Sequence, residues 1–289
     1  MRAGVIGLGA MGYPMAKNLG KAGLLAAVWN RSPETARTCG RETGAAVAAD
    51  AADLARRCDV VITCVSADAD LLAVVDAMLP GVGEGMVVAD TSTVSSDTAK
   101  VAAGKLQAVP AWFLDTPVSG GVEGARNGRL SVMAGGDEVA LERARPVLEA
   151  ISARIVHMGA VGAGQATKAV NQIMVAGIMQ GVSEGLAFGQ AMGLDLERVI
   201  EVVGAGAAAN WYLEHRGPTM IKDSYGTGFK LALHHKDLAI ARDMAAFHGV
   251  RLSSIEETLP LYETLMADGY GDEDISALFR AKKRLFENK

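Results

Sequence analysis

Gly7, Gly9 and Gly12 stand in the spacing G-x-G-x-x-G within the run Gly7-Leu8-Gly9-Ala10-Met11-Gly12. Such a run can hold a pyrophosphate when it closes a strand and opens a helix. The first glycine permits a tight turn, the second lets the phosphates approach the main chain, and the third lets helix and strand pack closely. The helix start adds N–H groups and a partial positive charge. Here an apolar strand candidate at 3–6 precedes the run and a helical pattern at 11–22 follows it. The next strand candidate, 25–30, leads into Asn30-Arg31-Ser32. An NAD enzyme places Asp or Glu at that point to bind the ribose hydroxyls. A carboxylate would repel a 2′-phosphate, whereas Arg31 can grip one through charge-assisted hydrogen bonds and Ser32 can add a donor. The expected cofactor is NADP(H), with NAD(H) as second choice. Val65 and Ser66, at the end of the 60–65 strand candidate, join the cofactor-binding set.

If a nicotinamide exchanges hydride with a carbonyl, some group must give or take the hydroxyl proton. Lys168 lies near the start of a largely apolar helical pattern, 165–193. An unpaired ammonium is costly there, and burial lowers a lysine pKa toward neutrality. From position alone Lys168 reads equally well as a proton-transfer residue or as a lysine snorkelling to solvent. Asn171 and Gln172, three and four residues on, can share its face. Ser119-Gly120-Gly121 offers successive backbone N–H groups and a hydroxyl, a set suited to a carboxylate. The competing reading is a plain turn after Pro117. Trp211, Tyr212 and Arg216 fall where substrate selectivity could be set, although Trp211 and Tyr212 read equally as core. His234 and His235 point apart on a helix, and neither has His, Asp or Glu four positions on, so no metal site is expected.

The elements that must position these residues fall into two rhythms. Strand candidates at 3–6, 25–30, 60–65, 86–90, 111–116, 130–134 and 154–157 alternate with helical patterns. That alternation predicts an α/β fold, a Rossmann-type doubly wound parallel sheet. After Gly164 the pattern is helical: 165–193, 196–203, 211–215, 233–248, 254–268 and 275–287. The expected domains are 1–160, binding NADP(H), and an all-α domain, 161–289, that begins with a long interdomain helix. Gly177, Gly181, Gly185, Gly189 and Gly193 recur every four residues along that helix. Each interior glycine costs ~1 kcal/mol against alanine, which predicts an offsetting tight helix–helix seam, within the chain or between subunits.

Composition narrows the classes. The chain has 289 residues, a formal net charge of −5 and no basic stripe, so no nucleic-acid partner is expected. Cys39, Cys58 and Cys64 form neither a disulfide framework nor a C-x-x-C pair. The 165–193 segment is broken by Lys168, Asn171, Gln172, Gln180, Glu184 and Gln190, which reads as a soluble helix and not a membrane span. The chain opens into a strand candidate, with no basic stretch before an apolar run and no small-residue cleavage site, so a cytoplasmic location is the default expectation.

Taken together, four ordered motifs resemble the β-hydroxyacid dehydrogenase family, which includes 3-hydroxyisobutyrate dehydrogenase, tartronate semialdehyde reductase and, more distantly, 6-phosphogluconate dehydrogenase. They are the glycine run; Asp115-Thr116-Pro117-Val118-Ser119-Gly120-Gly121; Gly162-Ala163-Gly164-Gln165-Ala166-Thr167-Lys168 with Asn171-Gln172; and Phe229 with Lys236-Asp237-Leu238. Asp90-Thr91-Ser92-Thr93 resembles the strand end beside the nicotinamide. The resemblance implies an active site between the two domains, with Lys168 as general acid/base and Ser119, Gly120, Gly121 and Thr93 at the substrate. It also implies Thr93, Phe229 and Lys236 near the cofactor, and a homodimer or homotetramer. The family usually carries Asn four residues past the lysine; Gln172 stands there, so Asn171 is named as the catalytic amide with Gln172 as its rival. The expected substrate is a small carboxylate-bearing aldehyde or alcohol. An L-serine-type dehydrogenase and a non-catalytic NADP(H)-binding sensor or partner are the alternatives. Imine reduction is disfavoured by Lys168.

Overall fold

The computed structural model describes residues 1–107, 109–226 and 228–287. Its strands are β1 (Ala3–Ile6), β2 (Leu25–Trp29), β3 (Ala46–Val47), β4 (Val60–Thr63), β5 (Val87–Asp90), β6 (Trp112–Asp115), β7 (Val118–Ser119), β8 (Leu130–Gly135) and β9 (Ser152–Gly159). Between them run α1 (Gly12–Lys21), α2 (Pro33–Thr43), α3 (Ala51–Arg56), α4 (Asp68–Met78), α5 (Ser96–Leu106), α6 (Gly121–Asn127) and α7 (Glu138–Glu149). The rest is helical: α8 (Ala163–Ala191), α9 (Leu196–Gly204), α10 (Trp211–Met220), α11 (Leu231–Phe247), α12 (Ser253–Ala267) and α13 (Leu278–Glu287).

The sheet runs β3-β2-β1-β4-β5-β6-β8-β7, with β9 beside β8. The β1–β6 portion is parallel, and its order reverses direction at β1, the switch point where α/β sheets bind ligands. The doubly wound parallel sheet is the one expected, and at its far edge β8 runs antiparallel to β6 and β7. β3 and β7 were not anticipated, because two residues are too few to show a period. The central strands read as unbroken apolar runs because both faces are covered. Val5, Val60, Ile62, Val87 and Ala89 pack on one side with α1 and α7. Their neighbours Ile6, Val61 and Val88 pack on the other with α3, α4 and α5.

Contacts divide the chain into Met1–Lys168 and Ala169–Lys289, a division that falls inside α8. In the second unit α8 contributes Val175, Ala176, Met179, Val182 and Leu186 to a core with Leu213, Leu238, Ile255, Tyr262 and Phe279. α10 continues to Met220 through Gly217-Pro218, which reads as a breaker in the sequence. The last predicted helix begins as a 3-10 turn at Ile275–Ala277, capped by Asp274. Among the described residues of this chain, the glycine row forms no continuous seam. Gly177, Gly181 and Gly185 are exposed, and an added Cβ would meet nothing within 4 Å. Gly189 packs on Leu196, and Gly193, at φ +72°, ends the helix while Leu194 N–H returns to the Gly189 carbonyl. No helix among the described residues is long and apolar enough to cross a membrane.

Candidate active site

The glycine run sits where β1 ends. Gly7 has φ +93°, and a Cβ there would overlap the Cys64 carbonyl; a Cβ on Gly12 would overlap the Gly7 carbonyl oxygen. Both positions are therefore closed to any side chain. Gly9 differs, because an added Cβ would meet nothing within 4 Å. Its open face beside the start of α1 fits a dinucleotide pyrophosphate approaching bare main chain. Leu8 N–H donates to Asn30 Oδ1 at 2.9 Å, and Asn30 Nδ2 donates to the Ser32 carbonyl at 3.2 Å. Asn30 thus ties the glycine turn to the end of β2. Ala10 and Ser32 are exposed and Met11 is half-buried. The Arg31 side chain is 89% exposed, with its guanidinium 3.4 Å from Asp70.

The ends of β4 and β5 are braced by buried polar groups. Asp90 Oδ1 accepts from Thr63 Oγ1 at 2.7 Å and from Ser92 Oγ at 2.6 Å. Ser92 Oγ in turn accepts from Val65 N–H at 2.8 Å, which fixes Val65 and, next to it, the exposed Ser66. Asp90 Oδ2 has no hydrogen-bond partner among the described residues, and burial pushes the carboxyl up to about 6.

The start of α8 is bound to three strand ends. Asp115, closing β6, accepts from Gly162 N–H and Gln165 N–H, each at 2.8 Å. Burial raises its pKa, against the pull of those main-chain donors. Gly164 allows this approach, since a Cβ would run into the Met133 and Asp115 carbonyls. Gln165 Nε2 donates to the Ser92 carbonyl at 2.8 Å, and its Oε1 accepts from Val94 N–H at 3.2 Å, so the amide brackets Thr93. Lys168 is buried at 7% exposure, and its Nζ donates to the Val118 carbonyl at 2.9 Å. That carbonyl directly precedes Ser119-Gly120-Gly121, whose glycines take φ +125° and +61°. Lys168, Thr93 and the Ser119 turn are thus gathered within the first unit.

The other predicted residues lie in the helical unit. Asn171 Nδ2 donates to Gln172 Oε1 at 2.8 Å, and Gln172 Nε2 donates to Asp237 Oδ2 at 2.6 Å. Lys236 Nζ lies 3.1 Å from Asp237 Oδ1. Phe229 packs against His234, whose ring nitrogens face Tyr262 Oη and the Gln172 carbonyl. Trp211 stacks on His215 at 4.4 Å under the Arg216 guanidinium at 4.9 Å. Asp90, Asp115, Gln165 and Asp237 belong to the quoted motifs, but their roles were not foreseen. The available signal was a carboxylate closing each of two buried, apolar strands.

A switch-point glycine cradle on a β1–β6 sheet of this order defines a dinucleotide-binding domain. Residues 2–159 match the model of the NAD-binding domain of 6-phosphogluconate dehydrogenase. Residues 162–282 match the NAD-binding domain of NADP-dependent 3-hydroxyisobutyrate dehydrogenase. The 2-hydroxy-3-oxopropionate reductase of Escherichia coli is 35% identical over 100% of this chain and 99% of its own. An NAD-dependent L-serine dehydrogenase of Pseudomonas aeruginosa is 35% identical over 94% and 95%. The solved 3-hydroxyisobutyrate dehydrogenase of Mycobacterium tuberculosis, with L-serine, superposes with a TM-score of 0.89 at 31% identity, covering 97% of this chain and 99% of that one. The chain belongs to the β-hydroxyacid dehydrogenase family and is an NAD(P)-dependent β-hydroxyacid dehydrogenase.

Proposed function

We propose that this enzyme reduces a short carboxylate-bearing semialdehyde with NADPH, and that Lys168 delivers the proton. The observation that carries the reading is the buried Lys168 amine, held at the Val118 carbonyl one residue before the Ser119 turn. The cofactor supplies the hydride. Ser119 Oγ and the main-chain amides of Gly120 and Gly121 hold the carboxylate, which sets the carbonyl near Lys168. Lys168 then protonates the oxygen as hydride arrives and takes the proton back in the reverse direction. Thr93 orients the reacting end. Asn171 is the amide that meets the substrate hydroxyl, because both ends of the Gln172 amide are engaged by Asn171 and Asp237. Lys236, paired with Asp237, serves the cofactor with Phe229, and Trp211 shapes selectivity.

The preference for NADPH rests on Arg31. Asn30, where NAD enzymes carry an acid, is committed to the glycine turn. The Arg31 pair with Asp70 is exposed and worth little, so a dianionic 2′-phosphate can displace it.

The test is cofactor oxidation, followed by absorbance, with glyoxylate, succinic semialdehyde, tartronate semialdehyde and methylmalonate semialdehyde, using NADPH and NADH. Turnover of at least one aldehyde should favour NADPH and fall about 100- to 10,000-fold in Lys168→Ala. Full activity in that variant would remove Lys168 from the chemistry. Inactivity toward every aldehyde, with oxidation of L-serine, would replace the substrate class with the one named for the Pseudomonas relative.

A further inference from the structure

We infer that Gln165 is a positioning residue that sets the distance between the Lys168 amine and Thr93; this rests on the proposed role of Lys168. Gln165 is 1% exposed, and it spends its amide on main chain at both ends. The Nε2 group donates to the Ser92 carbonyl at 2.8 Å and Oε1 accepts from Val94 N–H at 3.2 Å. The side chain therefore pairs with the segment 92–94 as a neighbouring strand would, with Thr93 between the two bonds. Its own N–H is held by Asp115 Oδ2 at 2.8 Å, so the residue joins the ends of β5 and β6 to α8. Lys168 follows three residues later, on the next turn of the same helix. A shift of α8 along β5 would carry Lys168 away from the Val118 carbonyl and Thr93 together.

The bracket needs a donor and an acceptor on one side chain, which glutamine supplies at any pH. Only a side chain that both donates and accepts, at this length, can close the bracket. An ionised glutamate accepts from Val94 N–H but faces the Ser92 carbonyl oxygen with a second acceptor. A protonated glutamate has an O–H donor and a carbonyl acceptor and restores both bonds. Methionine matches the length and offers neither. Displacements on the scale of an ångström between reacting groups cost roughly 100-fold in rate. Yet the cofactor cradle at Gly7 to Gly12 is built from other elements and should be spared.

The experiment compares wild type, Gln165→Met, Gln165→Glu and Lys168→Ala with the aldehyde that wild type reduces best. Gln165→Met is expected to lose roughly tenfold to 100-fold in kcat. Its KM, and its NADPH dissociation constant from fluorescence titration, should stay near the wild-type values. In Gln165→Glu, kcat relative to wild type should recover as the pH falls and the buried carboxyl takes up its proton. The thermal midpoint of the cofactor-free variant should recover over the same range. Gln165→Met should show neither recovery. The positioning role is overturned if Gln165→Met keeps wild-type kcat, or if Gln165→Glu shows no recovery in either readout. Lys168→Ala separates the two claims. Wild-type kcat there overturns the lysine reading itself. A collapse there, beside unchanged kcat in Gln165→Met, overturns the positioning role alone.

Discussion

The two units hold their buried polar groups in different ways. In the first, the side chains around the candidate site bond mainly to main chain: Asn30 to Leu8, Asp115 to Gly162 and Gln165, Gln165 to Ser92 and Val94, Lys168 to Val118. In the second, several bond to one another, Asn171 to Gln172, Gln172 to Asp237, Gln180 to Thr258 and Lys282 to Glu184, while Asp274 is held by the Gly228, Phe229 and Ser276 N–H groups. A group tied to the main chain of a sheet is fixed as firmly as the sheet. A group tied to another side chain moves when its partner changes rotamer. On the proposed reading, the proton-transfer Lys168 is held in the first manner and the amide Asn171 in the second.

The strongest way to break this comparison is Asp115→Ala. It strands two buried N–H groups at the start of α8, and unmet donors of this kind cost about 1–3 kcal/mol each. Urea denaturation should show a loss of about 3 kcal/mol. A loss no greater than an exposed substitution gives would mean that α8 is held by its apolar face alone.

Arg31→Ala probes a side chain of the first unit that follows neither pattern, exposed and loosely paired. The ratio of NADPH to NADH efficiency should drop about tenfold to 100-fold, as loss of charge-assisted bonds worth about 1.5–3 kcal/mol implies. An unchanged ratio would move coenzyme choice to other residues.

Asp90 sharpens the comparison through pH. Burial lifts its folded pKa to about 6, above the unfolded value near 4, so the folded chain keeps a proton that the unfolded chain has released. The stability held by that proton is complete below about pH 4 and is lost as pH rises through about 6. Asp90→Asn keeps an acceptor for the Thr63 and Ser92 hydroxyls and cannot ionise. Urea midpoints measured from pH 4 to pH 7 should fall less steeply with rising pH in Asp90→Asn than in wild type, with a residual slope from Asp115, which burial pushes the same way. Identical slopes would assign the effect elsewhere.

The smallest effect is expected in the helical unit. Thr258→Val removes the hydroxyl that Gln180 Nε2 meets at 3.0 Å, at a cost of about 1 kcal/mol. A cost as large as that of Asp115→Ala, from the same denaturation curves, would erase the distinction between the units.

Much of this was legible in the residues alone. The unbroken apolar strands, the helical periods after Gly164 and the glycine run report burial and backbone freedom, which are local properties. β3 and β7 were missed because pairing partners create strands too short to have a period. The glycine row on α8 predicts a seam within the chain or between subunits, and Gly177, Gly181 and Gly185 meet no described residue of this chain, because spacing shows that a face is thin but not what lies against it.

For the candidate site, residue types and order named Gly7, Gly9, Gly12, Arg31 and Ser119 as candidates, and the family resemblance added the proton-transfer reading of Lys168. Only tertiary structure revealed what Asp90, Asp115 and Gln165 do. Their acceptors and donors are main-chain atoms of Gly162, Ser92 and Val94 and hydroxyls of Thr63 and Ser92, distant or unremarkable in the chain. A main-chain N–H is the same at every residue, so no sequence pattern marks which one a buried carboxylate or amide will meet. Folding the strand ends together decides it.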